Sequence, residues 1–237
     1  MDFNTEGGSG RSDDQPLFGG ETDRRAGGLE RGPAGSPEGE FNLQDPVNSF
    51  ISTVRVLVLD PVRFFRGMPR QGNFVNPLVF VVICALISGV LSGIIGFLIS
   101  LGSRSQGFGG ATASLIGGII LAPIGALIAL FIASGIFHLF VLLFVRPSNA
   151  GFEATLRVVS YSSVTRLISW IPIIGWIVGF VWGIVLWIFG IREVHATTTG
   201  KAVLVVLLPV VMLLIVGLLL IAIGIGAALF FSSQQQF

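Results

Sequence analysis

Apolar residues dominate the chain after residue 76 and form long runs that are separated by short polar stretches. Four of these runs reach the roughly 20 residues that a helix needs to cross a bilayer; they cover about 77–101, 114–145, 173–191 and 202–231. The second run is longer than a bilayer requires and contains Pro123, so we expect it to tilt, bend or protrude. The pattern predicts an all-α, polytopic transmembrane helical bundle, which is followed by a short tail at 232–237.

A further segment, FEATLRVVSYSSVTRLISW at 152–170, is apolar only in part. Glu153 and Arg157 stand four residues apart in the order that favours a helical ion pair, and Tyr161 continues their face. Ionisable residues at membrane depth are candidates for function, although an ion pair that only satisfies a polar face explains them equally well. Arg166 is expected to extend towards the opposite surface. The segment is either a polar third span or an amphipathic helix at the surface.

The basic residues favour the spanning alternative, because cytoplasmic loops collect Lys and Arg. With five spans, eight basic residues fall on the cytoplasmic side and two on the other; with four spans the division is seven against three. Five spans also place the N-terminus in the cytoplasm and the C-terminus outside. The eight residues are Arg55, Arg63, Arg66, Arg70, Arg146, Arg157, Arg192 and Lys201, and the two are Arg104 and Arg166.

The N-terminal segment 1–45 has a different composition, with 10 acidic residues, 4 basic residues and 10 glycines. Such a segment buries too little apolar surface to fold, so it is predicted to be a disordered cytoplasmic tail. The whole chain is 52% hydrophobic and only 11% charged, against roughly 25% charged in an ordinary globular domain. This composition excludes a water-soluble protein and indicates contact with the lipid bilayer.

Residues 46–76 form a predicted juxtamembrane amphipathic segment. Apolar residues recur at helical spacing up to Asp60-Pro61, a pair that suits the N-cap and first turn of a second helix. Arg63, Arg66 and Arg70 accompany two phenylalanines there, as in helices that lie among anionic headgroups. The alternative is that both helices pack on the membrane domain and touch lipid only incidentally.

Glycines at four-residue steps leave one face of two predicted spans bare. They are Gly175, Gly179 and Gly183 in one span and Gly89 and Gly93 in another. Bare faces allow another helix to approach closely. They indicate either a homo-oligomer or packing within the bundle.

The loop GIREVHATTTGK at 190–201 is the most polar stretch among the late spans, and it contains Arg192, Glu193, His195 and Lys201. It lacks the first glycine and the hydroxyl residue of a phosphate-binding loop, and Glu193 and His195 are not spaced for a zinc pair on one helical face. His138, in an apolar stretch, is expected to be a hydrogen-bonded residue of the bundle. The sequence contains no catalytic constellation, so we expect no enzyme, no cofactor, no metal and no nucleic-acid partner.

Three stretches of the chain form a recognisable combination: the stretch from Gly151 to His195, Thr-Gly-Lys-Ala at the opening of the final span, and DPVRFFRGM before the first span. Together they resemble the Yip-domain family of five-span membrane proteins, whose eukaryotic members interact with Rab GTPases. The resemblance covers about 60–231 and points to the prokaryotic branch. The eukaryotic Asp-Leu-Tyr-Gly-Pro motif is absent, since Tyr161 is the only tyrosine in the chain.

The resemblance implies an integral membrane protein, at the cell membrane in a prokaryote, that acts as a non-enzymatic adaptor or organiser. The lipid-surface candidates are the three arginines of the juxtamembrane segment, and a protein partner would bind at the cytoplasmic loops. The alternative function is a small transporter or channel that uses the polar third span.

Overall fold

The computed structural model describes residues 39–102 and 107–234, and every regular element within these ranges is helical. The helices are α1 (Pro46–Leu59), α2 (Pro61–Gly67), α3 (Val75–Gly102), α4 (Gly107–Phe144), α5 (Phe152–Ser162), α6 (Arg166–Ser169), α7 (Ile174–Val194) and α8 (Thr199–Gln234), with a 3₁₀ turn at Ser163–Thr165 between α5 and α6. The predicted all-α class is therefore confirmed for the described residues.

Four helices in the described ranges are long and apolar enough to cross a membrane: Val75–Gly102, Leu115–Phe144, Ile174–Val194 and Thr199–Gly226. They coincide with the four long apolar runs of the sequence. Pro123 and Pro209 lie inside α4 and α8, and neither helix is interrupted there.

The segment predicted as a polar third span consists of α5, the 3₁₀ turn and α6. All nine residues from Ala154 to Ser162 are buried, and α5 packs against α3, α4 and α7. A surface amphipathic helix would expose one face, whereas this stretch of α5 exposes none.

Aspartates start both juxtamembrane helices. The Asp45 side chain accepts from the backbone N–H of Asn48 at 3.4 Å, and that of Asp60 accepts from the backbone N–H of Arg63 at 3.0 Å. Each is followed by proline at the first helical position, where the missing N–H has no intrahelical partner to lose. The predicted start of a second helix at Asp60-Pro61 is confirmed.

Residues 39–45 differ from the predicted disordered tail. Phe41 is completely buried and packs on Phe80 with a ring-centroid distance of 6.0 Å. The Thr53 hydroxyl donates to the carbonyl oxygen of Gly39 at 2.8 Å, and the Ser49 hydroxyl donates to that of Asn42 at 2.9 Å. The predicted boundary at residue 45 is therefore wrong for this stretch, because the bundle begins to hold the chain by Gly39. The rest of the predicted tail, 1–38, lies outside the described residues, as do 103–106 and 235–237.

Three loops meet at one end of the bundle, here called the polar end. The N–H of Ala150, just before α5, donates to His195 Nδ1, just after α7, at 3.1 Å. Arg66 of α2 pairs with Glu193 at the end of α7 at 3.0 Å. The polar end thus comprises residues 39–74, the 145–151 loop with the residues of α5 that contact 39–74, and residues 192–198.

Candidate functional site

Arg157 lies at the centre of the polar end, with a side chain that is only 3% exposed. Its Nη1 donates to Glu40 Oε1 at 2.8 Å, its Nε to Glu153 Oε1 at 3.3 Å, and its Nη2 to the carbonyl oxygen of Asn73 at 3.0 Å. A buried charge is tolerated only when it is paired and hydrogen-bonded. The guanidinium therefore fastens α5 to the N-terminal segment and to the start of α3.

Tyr161, one turn further along α5, binds the same carboxylate. Its hydroxyl donates to Glu40 Oε1 at 2.8 Å. The fully buried ring packs edge-on against Phe64 at 5.0 Å and lies 5.3 Å from Phe80. The aromatic contacts hold the phenol in place, so Glu40 binds into a preformed site made by two side chains of α5.

The sequence identified only part of this site. The predicted ion pair between Glu153 and Arg157 is confirmed, and Tyr161 lies beside it as expected. Glu40 and Asn73 were missed. Glu40 falls in a Gly-rich acidic stretch, where only the adjacent Phe41 gave a signal for burial, and Asn73 contributes a backbone carbonyl, which any residue supplies.

Glu193 joins two arginines at the edge of the polar end. Its Oε2 accepts from Arg66 Nε at 3.0 Å, and its Oε1 accepts from Arg192 Nη2 at 2.7 Å. Arg192 also lies over the ring of Phe189, 5.2 Å from its centroid. Because the Arg66 side chain is 70% exposed, solvent screens the link to α2 and it adds little stability.

Aromatic residues hold α2 more firmly than this ion pair does. Phe64 and Phe65 are 4% and 1% exposed, and α2 packs on α7. Burying a phenylalanine contributes roughly 1.5–3 kcal/mol relative to exposing it to water. The apolar face of α2 therefore contacts the bundle. The lipid-surface candidates Arg63 and Arg66 of α2, and Arg70 in the segment after it, are exposed.

His195 is completely buried and belongs to a hydrogen-bonded chain. The Ala150 N–H can only donate, so His195 Nδ1 must be the acceptor and the ring proton lies on Nε2. Nε2 then donates to Thr155 Oγ1 at 3.1 Å, which leaves the Thr155 hydroxyl to donate to His138 Nδ1 at 3.1 Å. Burial, with smaller contributions from His138 and Arg70, lowers the pKa of His195 to about 4. The imidazole is therefore a neutral structural link between the 145–151 loop and the end of α7.

Lys201 is exposed in the first turn of α8, where its backbone N–H faces Thr198 Oγ1 at 3.5 Å. His195 and Glu193, the polar residues of the same loop, are engaged by Thr155 and by the two arginines. Among the residues that the structure describes, no group of three or more His, Cys, Asp or Glu side chains could hold a metal ion.

Both bare glycine faces pack against other helices of the same chain. Gly175 and Gly179 lie against α6 and the 3₁₀ turn, where an added Cβ would contact the Ile168 carbonyl oxygen or the Ser169 hydroxyl. Gly89 lies against the backbone of Gly118 in α4, and Gly93 is its neighbour on that face. Both faces therefore take part in packing within the bundle, which is one of the two interpretations of the sequence pattern.

The family model of the Yip1 domain matches residues 54–221, from the second half of α1 to well inside α8. The chain belongs to the Yip1 domain family. The match covers seven-tenths of the sequence, so the resemblance found in the sequence is confirmed at the level of the family. No curated protein and no solved structure has significant similarity to the chain.

The Yip1 domain contains most of the polar end. Arg157, Tyr161, Glu193 and His195 all lie within the matched range, whereas Glu40 precedes it. The family is one of non-enzymatic membrane-trafficking proteins. Membership of this family makes the chain an integral membrane protein. The Glu40 carboxylate, which completes the Arg157 site, lies outside the matched range.

Proposed function

We propose that this Yip1-domain protein is a membrane adaptor, of the prokaryotic type, whose polar end faces the cytoplasm and forms the contact surface. The supporting observation is the fixed basic edge around α2. Phe64 and Phe65 anchor that helix on the bundle, and its two arginines, Arg63 and Arg66, remain exposed. A rigid surface of this kind binds a partner with less loss of conformational entropy than a free tail.

The orientation rests on a five-span topology, with α5 and α6 as the third span. The hydrogen bond between Ala150 and His195 ties the start of α5 to the end of α7. Since α7 is long enough to cross the membrane, its other end is remote from that bond, and the segment 152–169 has to cover the same distance. Its 18 residues extend about 27 Å at the helical rise of 1.5 Å per residue.

Lipid contact at the polar end involves α1 as well as α2. Val47, Ile51 and Val58 are 66%, 60% and 49% exposed along one side of α1, and exposed Arg55 lies among them. Apolar side chains interspersed with arginine suit a helix in the headgroup layer. Anionic headgroups would then bind Arg55 together with Arg63 and Arg70.

The adaptor function is tested by purification of associated proteins from native membranes, with quantitative mass spectrometry. The double variant Arg66→Gln/Arg70→Gln, which removes two exposed arginines of the basic edge, should lose a protein that co-purifies with the wild type, while Arg146→Gln, an exposed arginine elsewhere at the polar end, keeps it. Equal recovery of every protein with the wild type and both variants would exclude the basic edge as the contact surface.

Transport through the polar third span has less support. All three donor nitrogens of Arg157 already bind Glu40, Glu153 and the Asn73 carbonyl, so a solute would have to displace internal partners. A reproducible solute flux in proteoliposomes that is lost with Arg157→Gln would replace the adaptor proposal by transport.

A further inference from the structure

A cavity of about 310 Å³ lies between α3, the α5–α6 segment and α7. Arg166 lines it together with the hydroxyl residues Ser88, Thr165 and Ser169, and Trp176 contributes from the first turn of α7. This cavity is separate from the Arg157 site, and neither the adaptor proposal nor the family assigns it a role.

Arg166 lies towards the end of the bundle opposite the polar end. It follows the first residue of α5 by 14 positions, which corresponds to about 20 Å of helix. The glycine wall of the cavity comes from Gly179 and Gly183, in the half of α7 that is remote from the polar end. Trp176 is 65% exposed and stacks on Phe180 at 5.9 Å. Since tryptophan favours the headgroup level, the cavity lies close to the headgroups of the opposite leaflet.

No carboxylate of the described chain can neutralise Arg166. Residues 39–102 and 107–234 contain five acidic side chains, and no ion pair in these ranges involves Arg166. The five are engaged at the polar end, either with arginines or as caps of α1 and α2; they are Glu40, Asp45, Asp60, Glu153 and Glu193. A partly buried cation between membrane helices is costly without a counterion, so the site suits an anionic ligand.

The cavity also contains hydroxyl groups, whose oxygens can accept hydrogen bonds from a ligand beside Arg166. The hydroxyls of Ser162, Thr165 and Ser169 donate to backbone carbonyls three or four residues earlier, at 2.7, 3.1 and 2.9 Å. Their oxygen lone pairs remain available to accept. One cation with several acceptors matches a group that has an anionic phosphate and its own hydroxyl or ammonium donors, as phospholipid headgroups do.

An apolar cavity of about 260 Å³ adjoins the polar one. Phe180 and Trp187 of α7 line both cavities, and the remaining lining of the second comes from α4 and α8, with side chains such as Phe137 and Leu213. No ionisable residue lines it. Adjacent polar and apolar cavities in a membrane helix bundle suit a molecule with a polar head and a hydrocarbon chain.

We propose that Arg166 and the hydroxyl residues around it bind the phosphate-bearing headgroup of a phospholipid, one acyl chain of which occupies the cavity between Phe137 and Leu213. A phosphate ester also exists as free phosphate, which would use Arg166 without the apolar cavity. The site lies at the end of the bundle opposite the proposed adaptor surface, so the two proposals fail independently.

The test uses native mass spectrometry of the purified full chain after delipidation. Phosphatidylglycerol, phosphatidylethanolamine, diacylglycerol and inorganic phosphate are titrated separately. The wild type should bind one phospholipid at the Arg166 site, and Arg166→Gln should weaken the binding of that phospholipid by about tenfold or more, the effect of losing a charge-assisted hydrogen bond. Arg166→Lys should retain part of the affinity, and Arg66→Gln, which removes an exposed arginine at the polar end, should bind like the wild type.

A second measurement separates loss of the ligand site from loss of the fold. Without lipid, Arg166→Gln should melt no lower than the wild type, because the substitution removes an uncompensated charge; added phospholipid should raise the melting temperature of the wild type alone. Unchanged lipid binding by Arg166→Gln overturns the proposal. Binding of diacylglycerol as tightly as phospholipid, or full competition by inorganic phosphate, overturns the headgroup assignment.

Discussion

Arg157 donates a hydrogen bond of 2.8 Å to Glu40, although the two residues are 117 positions apart in the chain. The same carboxylate oxygen accepts from the Tyr161 hydroxyl, and the neighbouring Phe41 is fully buried. The end of the acidic N-terminal segment is therefore part of the membrane domain.

Replacing Glu40 by alanine should release this attachment. The buried guanidinium of Arg157 would keep Glu153 but lose its shortest charged partner, which costs on the order of 1–3 kcal/mol. Hydrogen exchange of residues 39–45 should become faster, while exchange within α7 stays unchanged.

Glu40→Gln serves as the conservative variant and should restore part of the protection, since an amide oxygen still accepts from Arg157 and Tyr161. Gln44→Ala, at an exposed position of the same segment, is the matched control and should exchange like the wild type. Equal protection in Glu40→Ala and the wild type would show that Phe41 and the hydrogen bonds from Thr53 and Ser49 hold the segment without Glu40.

Close packing of α3 on α4 depends on glycine at the point of contact. A Cβ at Gly89 or Gly118 would meet the backbone of the facing helix, whereas a Cβ at Gly125 of α4 meets nothing within 4 Å. Gly89→Ala and Gly118→Ala should each lower stability by roughly 1–3 kcal/mol through overpacking. Gly125→Ala should leave stability unchanged or raise it by about 0.5–1 kcal/mol, because alanine favours a helix.

Thermal unfolding of the purified variants in detergent gives this comparison directly. Gly118→Ala should lower the melting temperature, whereas Gly125→Ala, a substitution in the same helix, should not lower it. A melting temperature for Gly118→Ala at or above that of Gly125→Ala would contradict the packing of α3 on α4.

Acid should weaken the contact between the 145–151 loop and α7 through His195. Its pKa in the folded chain is about 4, below its ordinary value of 6.5, so the unfolded chain binds more protons between these values. The stabilisation is fully present above pH 6.5 and is lost as the pH falls towards 4. The shift corresponds to on the order of 3 kcal/mol.

Melting temperatures measured between about pH 7.5 and pH 4.5 test this prediction. His195→Asn keeps an oxygen that can accept from the Ala150 N–H but removes the titration. The wild type should lose more stability than this variant over the interval. Parallel curves would mean that other groups, such as the carboxylates of the polar end, cause the whole pH dependence.

Cysteine labelling tests the proposed five-span topology. In a Cys84→Ser background, cysteines at Asn149 and Thr198 should react with a membrane-impermeant reagent from the same side, because the hydrogen bond between Ala150 and His195 joins their loops. A cysteine at Ile174, which is 67% exposed at the start of α7, should react from the other side. Labelling of 149 and 198 from opposite sides would establish that the segment 152–170 does not span.

The sequence alone determined the helical class and the positions of the long helices. Their apolar runs exceed the thickness of a bilayer, and a chain without polar alternation in such runs has no other way to satisfy its backbone in lipid. Contacts between residues that are close in sequence could also be predicted. Asp60-Pro61 starts α2, and Glu153 pairs with Arg157 one helical turn away.

Only the tertiary structure decided which distant residues complete each polar group. Glu40 reaches Arg157 and Tyr161, Arg66 reaches Glu193, and Thr155 joins two histidines. A hydropathy profile does not report such contacts, because they depend on which helices pack against each other. The cavity that Arg166 lines was likewise decided by the tertiary structure, because three separate parts of the chain enclose it. The acidic side chains of residues 39–102 and 107–234 are all held at the other end of the bundle.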